Sequence, residues 1–400
     1  MTVILRKYWK HALITFLLLV SCGVGYYVWA MYSSLDGLKK PPEQSRFQPV
    51  LHKLPNPKRI EPPKWVGEER VNILLLGGDS RGLKVKEVPR SDSIMIASFD
   101  PKAKRANLFS ILRDTYVDIP GVGRDRMNAA LALGGPELAM KTVGNWTGLD
   151  MQYYVYTDFK GFIALIDALG GVEFEVEKDM IYTDSADKNQ FNIHLKKGKQ
   201  VLNGETALMY ARFRYDAMSD FARTKRQRDL MLAVANKMKS AWSIIQLPSL
   251  INKVSPHVET NLSADDIIKL ASLGYDSSVG QSHQLPPMGL VTDIKVNHSA
   301  MLGVTDMKKF KAYIQQALQP PSAQSSSMQQ GVGQRDEKQQ NTQLPSNQQN
   351  AQQSSKQQQG GQQPSNHLQD VQQQNRSGTD INASKSDSSK VLKHNDLWSH

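Results

Sequence analysis

Apolar and polar positions divide the chain into zones of different character. From Ala12 to Tyr32 there are 21 residues without a charge, ALITFLLLVSCGVGYYVWAMY. A bilayer core of roughly 30 Å takes about 20 helical residues to cross, so this run predicts one membrane-spanning helix at 12–32, preceded by a short cytoplasmic segment, 1–11. Residues 33–68 contain Pro41, Pro42, Pro49, Pro55, Pro57, Pro62 and Pro63, which break helices and predict an extended stalk. Between residues 69 and 320, short apolar runs alternate with amphipathic ones, the pattern of a domain of about 250 residues. Residues 321–400 are dominated by Gln, Ser, Asn and Gly and cannot bury enough apolar surface to offset their ordering entropy, so this tail is read as disordered.

Within the domain, Val71–Leu76, Ser93–Phe99 and Ala106–Leu112 read as short strands, each meeting a polar, charged segment. Pro136–Trp146 reads as a helix with Pro136 in its first turn. Asp158 caps a helix through Leu169, with Phe162, Leu165, Ile166 and Leu169 on one stripe and Gly170-Gly171 as its stop. Val172–Val176 alternates like a strand. Asn203 caps Gly204–Arg212, and a long helix opening near Asp220 carries Leu230, Met231, Val234 and Met238 on its apolar face. Ser263 with Asp266 opens a further helix ending near Gly274, Leu290–Val296 reads as a strand, and Thr305 opens a last helix to Leu318. Strands mixed with helices make the domain α/β or α+β.

The flanks of the apolar run set its orientation. Arg6, Lys7 and Lys10 precede it and should stay cytoplasmic, whereas Tyr26, Tyr27, Trp29 and Tyr32 cluster at the far end as an interfacial belt. Leu19-Val20-Ser21-Cys22 is similar to a lipoprotein cleavage site, and the basic start also suits a cleaved signal. The sequence stays apolar for ten residues beyond Cys22, which favours an uncleaved anchor with the domain outside the cell.

Charge narrows the chemistry. Lys+Arg is 49 against Asp+Glu 38, a balance of +11 that suits polyanionic partners, and the tail holds 7 and 6 of these and so contributes almost nothing to it. One cysteine excludes an intramolecular disulfide framework and any multi-thiolate metal site. His194, His257 and His298 show no ligand spacing, which argues against zinc. Neither a nucleotide P-loop nor a Gly-x-Ser-x-Gly nucleophile elbow is present. The roughly eleven residues ahead of the span are too few for a DNA-reading module, so no nucleic-acid partner is expected.

Charged residues gather in the loops. Asp79-Ser80-Arg81 and Arg90-Ser91-Asp92 flank neighbouring strands, and Arg113-Asp114 ends the third. Arg212 and Arg214 close the Asn203 helix, and Arg223 and Gln227 share a face of the next one. Several planar, permanently charged donors suit a pyrophosphate, and the carboxylates can hold Mg²⁺, which prefers oxygen ligands. Taken singly each of these residues also suits a solvated surface, and Lys225, Arg226 and Arg228 fit a wet helix face better than a site.

As an ordered set these segments resemble the LytR-CpsA-Psr family of Gram-positive bacteria. The resemblance runs through Gly78-Asp79-Ser80-Arg81, Arg90 to Met95, Ser110 to Thr115, Asn128-Ala129-Ala130, Tyr153-Tyr154-Val155, Asp158-Phe159 and Asp167 to Val172. It continues in Leu202 to Glu205, Ala211-Arg212-Phe213-Arg214 and Asp220 to Arg223, and spans about residues 70 to 240. The resemblance implies a central mixed β-sheet flanked by helices, with an apolar tunnel that Leu165, Ile166 and Leu169 would help to line. It also implies transfer of a glycopolymer such as teichoic acid or capsule from a polyprenyl-pyrophosphate carrier to a peptidoglycan sugar hydroxyl, forming a phosphodiester at the cell membrane. Asp79 and Asp92 would lie near Mg²⁺, and Asp92, Arg113 and Arg214 would act in the reaction. Arg81, Arg126, Arg212, Asp220, Arg223 and Gln227 would hold substrate, Arg126 standing where the family often has Lys. Two other readings of the same residues are a lipid-pyrophosphate hydrolase and a non-catalytic, membrane-tethered regulator of the cell envelope.

Overall fold

The computed structural model describes residues 2–51, 62–79, 87–183, 192–214, 219–240, 243 and 245–320. The tail read as disordered lies outside them, and so does Arg81. Helix α1 (Thr2–Asp36) is followed by a 3-10 turn (Pro42–Gln44) and the short α2 (Gln48–Leu51). Next come β1 (Val71–Gly78), β2 (Ser91–Asp100), β3 (Arg105–Ile111), β4 (Tyr116–Ile119), β5 (Gly123–Arg126), α3 (Ala129–Thr147), β6 (Tyr153–Asp158) and α4 (Phe159–Ala168). Four short strands, β7 (Val172–Val176), β8 (Met180–Tyr182), β9 (Ile193–Leu195) and β10 (Gly198–Leu202), precede α5 (Gly204–Arg212) and α6 (Ser219–Met238). The remainder is α7 (Leu247–Val254), β11 (Val258–Thr260), α8 (Ala264–Asp276), β12 (Ser278–Leu285), β13 (Val291–Val296), β14 (Ser299–Val304) and α9 (Met307–Leu318).

Six strands form the central sheet in the order β11-β6-β1-β2-β3-β12. β1 runs parallel to β6 and β3 parallel to β12, while the β1–β2, β2–β3 and β6–β11 pairs are antiparallel, so the sheet is mixed as expected. One edge of the sheet therefore collects the end of β1, the start of β2, the end of β3 and the end of β6. Side-chain alternation then sorts the faces. Leu74, Leu76, Ile94 and Ile96 enter the main core, where α3 and α9 supply Leu138, Val143, Trp146, Phe310 and Ile314. On the other side, α4, α5, α6 and α7 build a second core around Ile166, Leu169, Tyr210, Leu230 and Val254.

Local chemistry accounts for the helix boundaries. The side chains of Asp158, Asn203 and Ser263 accept from Gly161 N, Thr206 N and Asp266 N, and Ser263 with Asp266 completes a capping box. The last helix is capped by Asp306, which accepts from Lys308 N and Lys309 N, one residue later than the sequence suggested. α3 begins earlier than expected, at Ala129, but Gly134 and Gly135 leave helical geometry, so Pro136 does open a fresh helical segment.

The stalk expected over 33–68 is corrected at its start. Leu35, Phe47 and Val50 are buried, and Phe47 meets Tyr156 edge-to-face with ring centroids 5.0 Å apart. Pro49 sits inside α2, Pro55 and Pro57 lie outside the described residues, and Phe47 and Val50 plug into the main core. The strand expected at Leu290–Val296 is β13, but the two edge strands of the central sheet were missed. β11 is three residues long and β12 reads SVGQSHQL, too short and too polar to announce themselves, yet they form both edges of the sheet. Gln284 and Leu285 close β12.

The Tyr8–Asp36 part of α1 is long and apolar enough to cross a membrane, and its most apolar stretch is unburied by protein. Leu13, Phe16, Leu17, Leu18 and Leu19 are all exposed. At its end, Tyr32 OH donates to Asp265 Oδ1 at 3.4 Å, so the helix runs directly onto the domain.

Candidate active site

A cavity of about 640 Å³ lies between the central sheet and α4, α5, α6 and α7. Its floor follows from strand register. Val155, Leu75 and Met95 sit side by side on β6, β1 and β2, and all three line the cavity. The row above is Thr157, Gly77 and Ser93, where the glycine leaves room and the flanking hydroxyls begin the polar zone. On the helical side, Phe162 and Leu165 come from α4, Leu208 and Ala211 from α5, and Leu230 and Met231 from α6. The cavity is thus an apolar slot with a charged mouth.

The mouth is built where strands end. Asp79 follows β1, Asp92 lies at the start of β2, Arg113 follows β3, and all three line the cavity together with Arg212, Arg214, Arg223 and Gln227. Arg223, Gln227 and Leu230 fall at i, i+4 and i+7 of α6, so one helix face grades from polar mouth to apolar slot. Arg113 pairs with Asp92 through a short contact and lies 3.6 Å from Asp114. Arg223 pairs with Asp220 across one helical turn. Nε of Arg113 and Nε of Arg223 are buried without a hydrogen-bond partner, which suits a mouth completed by an anionic ligand's oxygens.

Crowding sets the protonation states. The surrounding protein, and secondarily the charge of Arg113, lowers the pKa of Arg214 although its side chain is open to solvent at the mouth; Asp220, Asp92 and Asp114 pull it back up. Arg214 remains a cation at any physiological pH. Burial raises the Asp220 carboxyl above its ordinary value, opposed by Arg113 and Arg214 and reinforced by Asp114 and Asp92. An anion entering the mouth meets an excess of guanidiniums over carboxylates that are themselves paired.

Arg126 is not among the cavity-lining residues: it lies 3.3 Å from Asp114 and donates to the Ala300 carbonyl at 3.1 Å. Asp220 does not line the cavity but acts on its mouth through its pair with Arg223 and its charge beside Arg113 and Arg214. Of the expected tunnel residues, Leu165 lines the slot, while Ile166 and Leu169 belong to the second core, because the α4 stripe is wider than the cavity.

Sequence reasoning missed a brace behind the mouth. Arg226 and Arg228, which fitted a wet helix face, are buried. Arg226 binds Glu177 Oε1 at 2.8 Å and the Phe213 carbonyl at 2.8 Å, and Tyr210 OH donates to the other oxygen of Glu177 at 2.8 Å. Gln227 donates to the Ala211 carbonyl at 3.3 Å. Two neighbours on α6 thereby hold the main chain on either side of Arg212, just ahead of Arg214. Tyr210 lies in the last turn of α5 and marks where this brace meets the helix. Asp158, read as a helix cap and as part of the Asp158-Phe159 resemblance, also lines the cavity at the end of β6.

A metal can be weighed against these donors. Among the described residues no group of three or more His, Cys, Asp or Glu side chains forms a cage. Mg²⁺ is commonly bound by one or two carboxylates together with water and substrate phosphates. Asp79 and Asp92, two hard oxygen donors at one mouth, fit that arrangement.

A mixed sheet with an apolar slot and an arginine-rich rim defines a class of domains shaped for an amphiphile with an anionic head. The chain belongs to the LytR_cpsA_psr family, whose sequence profile matches residues 44–313. It is 35% identical over 285 residues to the polyisoprenyl-teichoic acid--peptidoglycan teichoic acid transferase TagU of Enterococcus faecalis, covering 70% of this chain and 86% of that protein. It is 38% identical over 203 residues to the regulatory protein MsrR of Staphylococcus aureus, covering 50% of this chain and 59% of MsrR, so the match spans little more than half of that relative. Among solved structures, TagT bound to LI-WTA superposes with a TM-score of 0.52 at 28% identity, covering 65% of this chain and 95% of that one. TagV of Bacillus subtilis gives 0.52 at 28% identity over 63% and 99% of the two chains.

Proposed function

We propose that this protein is a phosphotransferase that moves a cell-wall glycopolymer from a polyprenyl-pyrophosphate carrier to a peptidoglycan sugar hydroxyl. The observation that carries this reading is the joining of an apolar slot to a guanidinium-ringed mouth in one cavity. A prenyl chain matches the slot and a diphosphate matches the mouth, where Arg binds phosphate oxygens bidentately. The relatives named as teichoic acid transferases and the TagT complex support the same class of donor.

In this mechanism Arg113, Arg212, Arg214 and Arg223 with Gln227 hold the diphosphate and stabilise the charge that develops on it. The acceptor hydroxyl attacks the phosphorus that bears the glycan. The bond from that phosphorus to the bridging oxygen breaks, polyprenyl phosphate leaves, and the hydroxyl proton passes to a carboxylate, assigned to Asp92. Positioning and electrostatics do most of the work in phosphoryl transfer, so no covalent enzyme intermediate is required. Asp79 and Asp92 are the residues to hold Mg²⁺, which when bound supplies charge neutralisation at the diphosphate. Arg6, Lys7 and Lys10 keep the N-terminus cytoplasmic, α1 serves as a single-pass anchor, and the domain works on the outer side.

Arg113→Ala and Arg214→Ala are expected to abolish transfer of a purified lipid-linked glycopolymer to peptidoglycan while the fold persists by circular dichroism. Near-normal turnover by both variants refutes their roles. Release of free glycan at an undiminished rate without peptidoglycan would instead identify a hydrolase.

A further inference from the structure

Behind the cavity wall lies a charge cluster, centred on Asp158, that the mechanism above does not use. Asp158 ends β6 level with Gly78 of β1, lines the cavity and keeps its side chain only 10% exposed. Its Oδ1 caps α4 through Gly161 N and stands 3.6 Å from His257 Nδ1. On β11, Glu259 is buried as well. The cations that answer these two carboxylates come from the stretch just after the membrane helix. Arg46 Nη1 is 3.3 Å from Asp158 Oδ2 and its Nε is 3.8 Å from Glu259 Oε2, while its guanidinium lies 4.8 Å from the Tyr156 ring centroid. Arg46 N also donates to Glu259 Oε2 at 3.1 Å, and Ser45 Oγ bonds the other oxygen. Lys40 donates to the Pro256 carbonyl at 3.5 Å. Burial and then the charge of Arg46 lower its pKa, against the pull of Glu259 and Asp158.

A buried carboxylate in the wall of an anion-binding cavity repels the ligand unless it is neutralised. We propose that the segment Lys40–Phe47 is a clasp on that wall, in which Arg46 is a positioning residue that neutralises Asp158 so that the mouth accepts a diphosphate. The clasp rests on the reading of the mouth as a diphosphate site. It makes the juxtamembrane segment a working part of the cavity and ties the slot to the end of the membrane helix.

The test uses the full chain in detergent and two probes, geranylgeranyl pyrophosphate and geranylgeraniol, titrated by calorimetry. Arg46→Ala is expected to weaken diphosphate binding by about tenfold, the scale of one uncompensated charge at partly screened range, and to leave the alcohol unaffected. Arg46→Lys keeps most of the affinity. Asp158→Asn, which can still cap α4, restores it in the Arg46→Ala background, a rescue that a merely structural role would not give. Loss of both probes alike, no loss of either, or no rescue by Asp158→Asn overturns the clasp. A wild-type protein that shows no preference for the diphosphate overturns the site reading itself, and the clasp with it.

Discussion

Replacing Phe47 by Ala tests whether the chain after the membrane helix is built into the domain. Phe47 is fully buried in the main core and packs edge-to-face on Tyr156, itself fully buried beside Gly78. The site is further shaped by the break in α3, because Gly135 adopts φ +77° and a Cβ there would come within 3.1 Å of Leu51 and 3.6 Å of Phe47. Truncating a buried phenylalanine costs about 3–5 kcal/mol, through lost transfer energy and the cavity left behind. For a domain of this size each kcal/mol moves the midpoint by about 2–4 °C, so Phe47→Ala should lower Tm by about 6–20 °C. The assay is thermal denaturation of the full chain in detergent, followed by intrinsic fluorescence. Val66→Ala is the control: its side chain is 78% exposed, so a shift within about 0.5 kcal/mol is expected. A Phe47→Ala midpoint within about 2 °C of wild type would mean that residues 42–51 are a detached stalk, and the packing reasoning would fail.

Three further outcomes follow from local geometry. In Gly204→Ala the new Cβ would stand 2.4 Å from the Ile163 carbonyl oxygen and 2.7 Å from Ile163 Cα, backbone that cannot give way, so a loss of about 1–3 kcal/mol is expected in urea denaturation, and a wild-type midpoint would contradict it. Burial pushes the Glu177 carboxyl up, but hydrogen bonds from the backbone, Arg226 and Tyr210 outweigh it and hold its pKa below the usual carboxylate range. The brace therefore stabilises the fold above the unfolded-state pKa and is lost as pH falls through the lowered native one. A Tm–pH curve should flatten on the acid side in Glu177→Gln, and identical curves would remove the brace from the account. Stripping divalent cations with EDTA should cut glycopolymer transfer by about tenfold or more, reversibly with Mg²⁺; unchanged turnover would release Asp79 and Asp92 from metal holding.

Much of the site was legible because its residues sit where chain punctuation is strong. Asp79, Asp92 and Arg113 each adjoin a short apolar run, and Arg223 with Gln227 follows from helical spacing alone. Arg226 and Arg228 were misread, since a basic helix stretch looks solvated until a carbonyl and a carboxylate are brought to it from elsewhere. Glu177, the partner of Arg226, lies 49 positions away and carries no local mark. Ile166 and Leu169 show the converse: the stripe on α4 was read correctly, but which of its members face a hollow depends on what packs opposite.

The sequence alone determined the elements with a local cause: an uncharged run long enough to span a bilayer, strands bounded by charged loops, and helices opened by Asp158, Asn203 and Ser263. Tertiary structure decided which of these meet. Only the register of β6, β1 and β2 sets Val155, Leu75 and Met95 in one row as the slot's floor, and only long-range packing seats Phe47 and Arg46 beside strands more than a hundred residues away. Local propensity acts over a few residues. Burial and ion pairing act through space, between groups whose separation along the chain carries no trace of their contact.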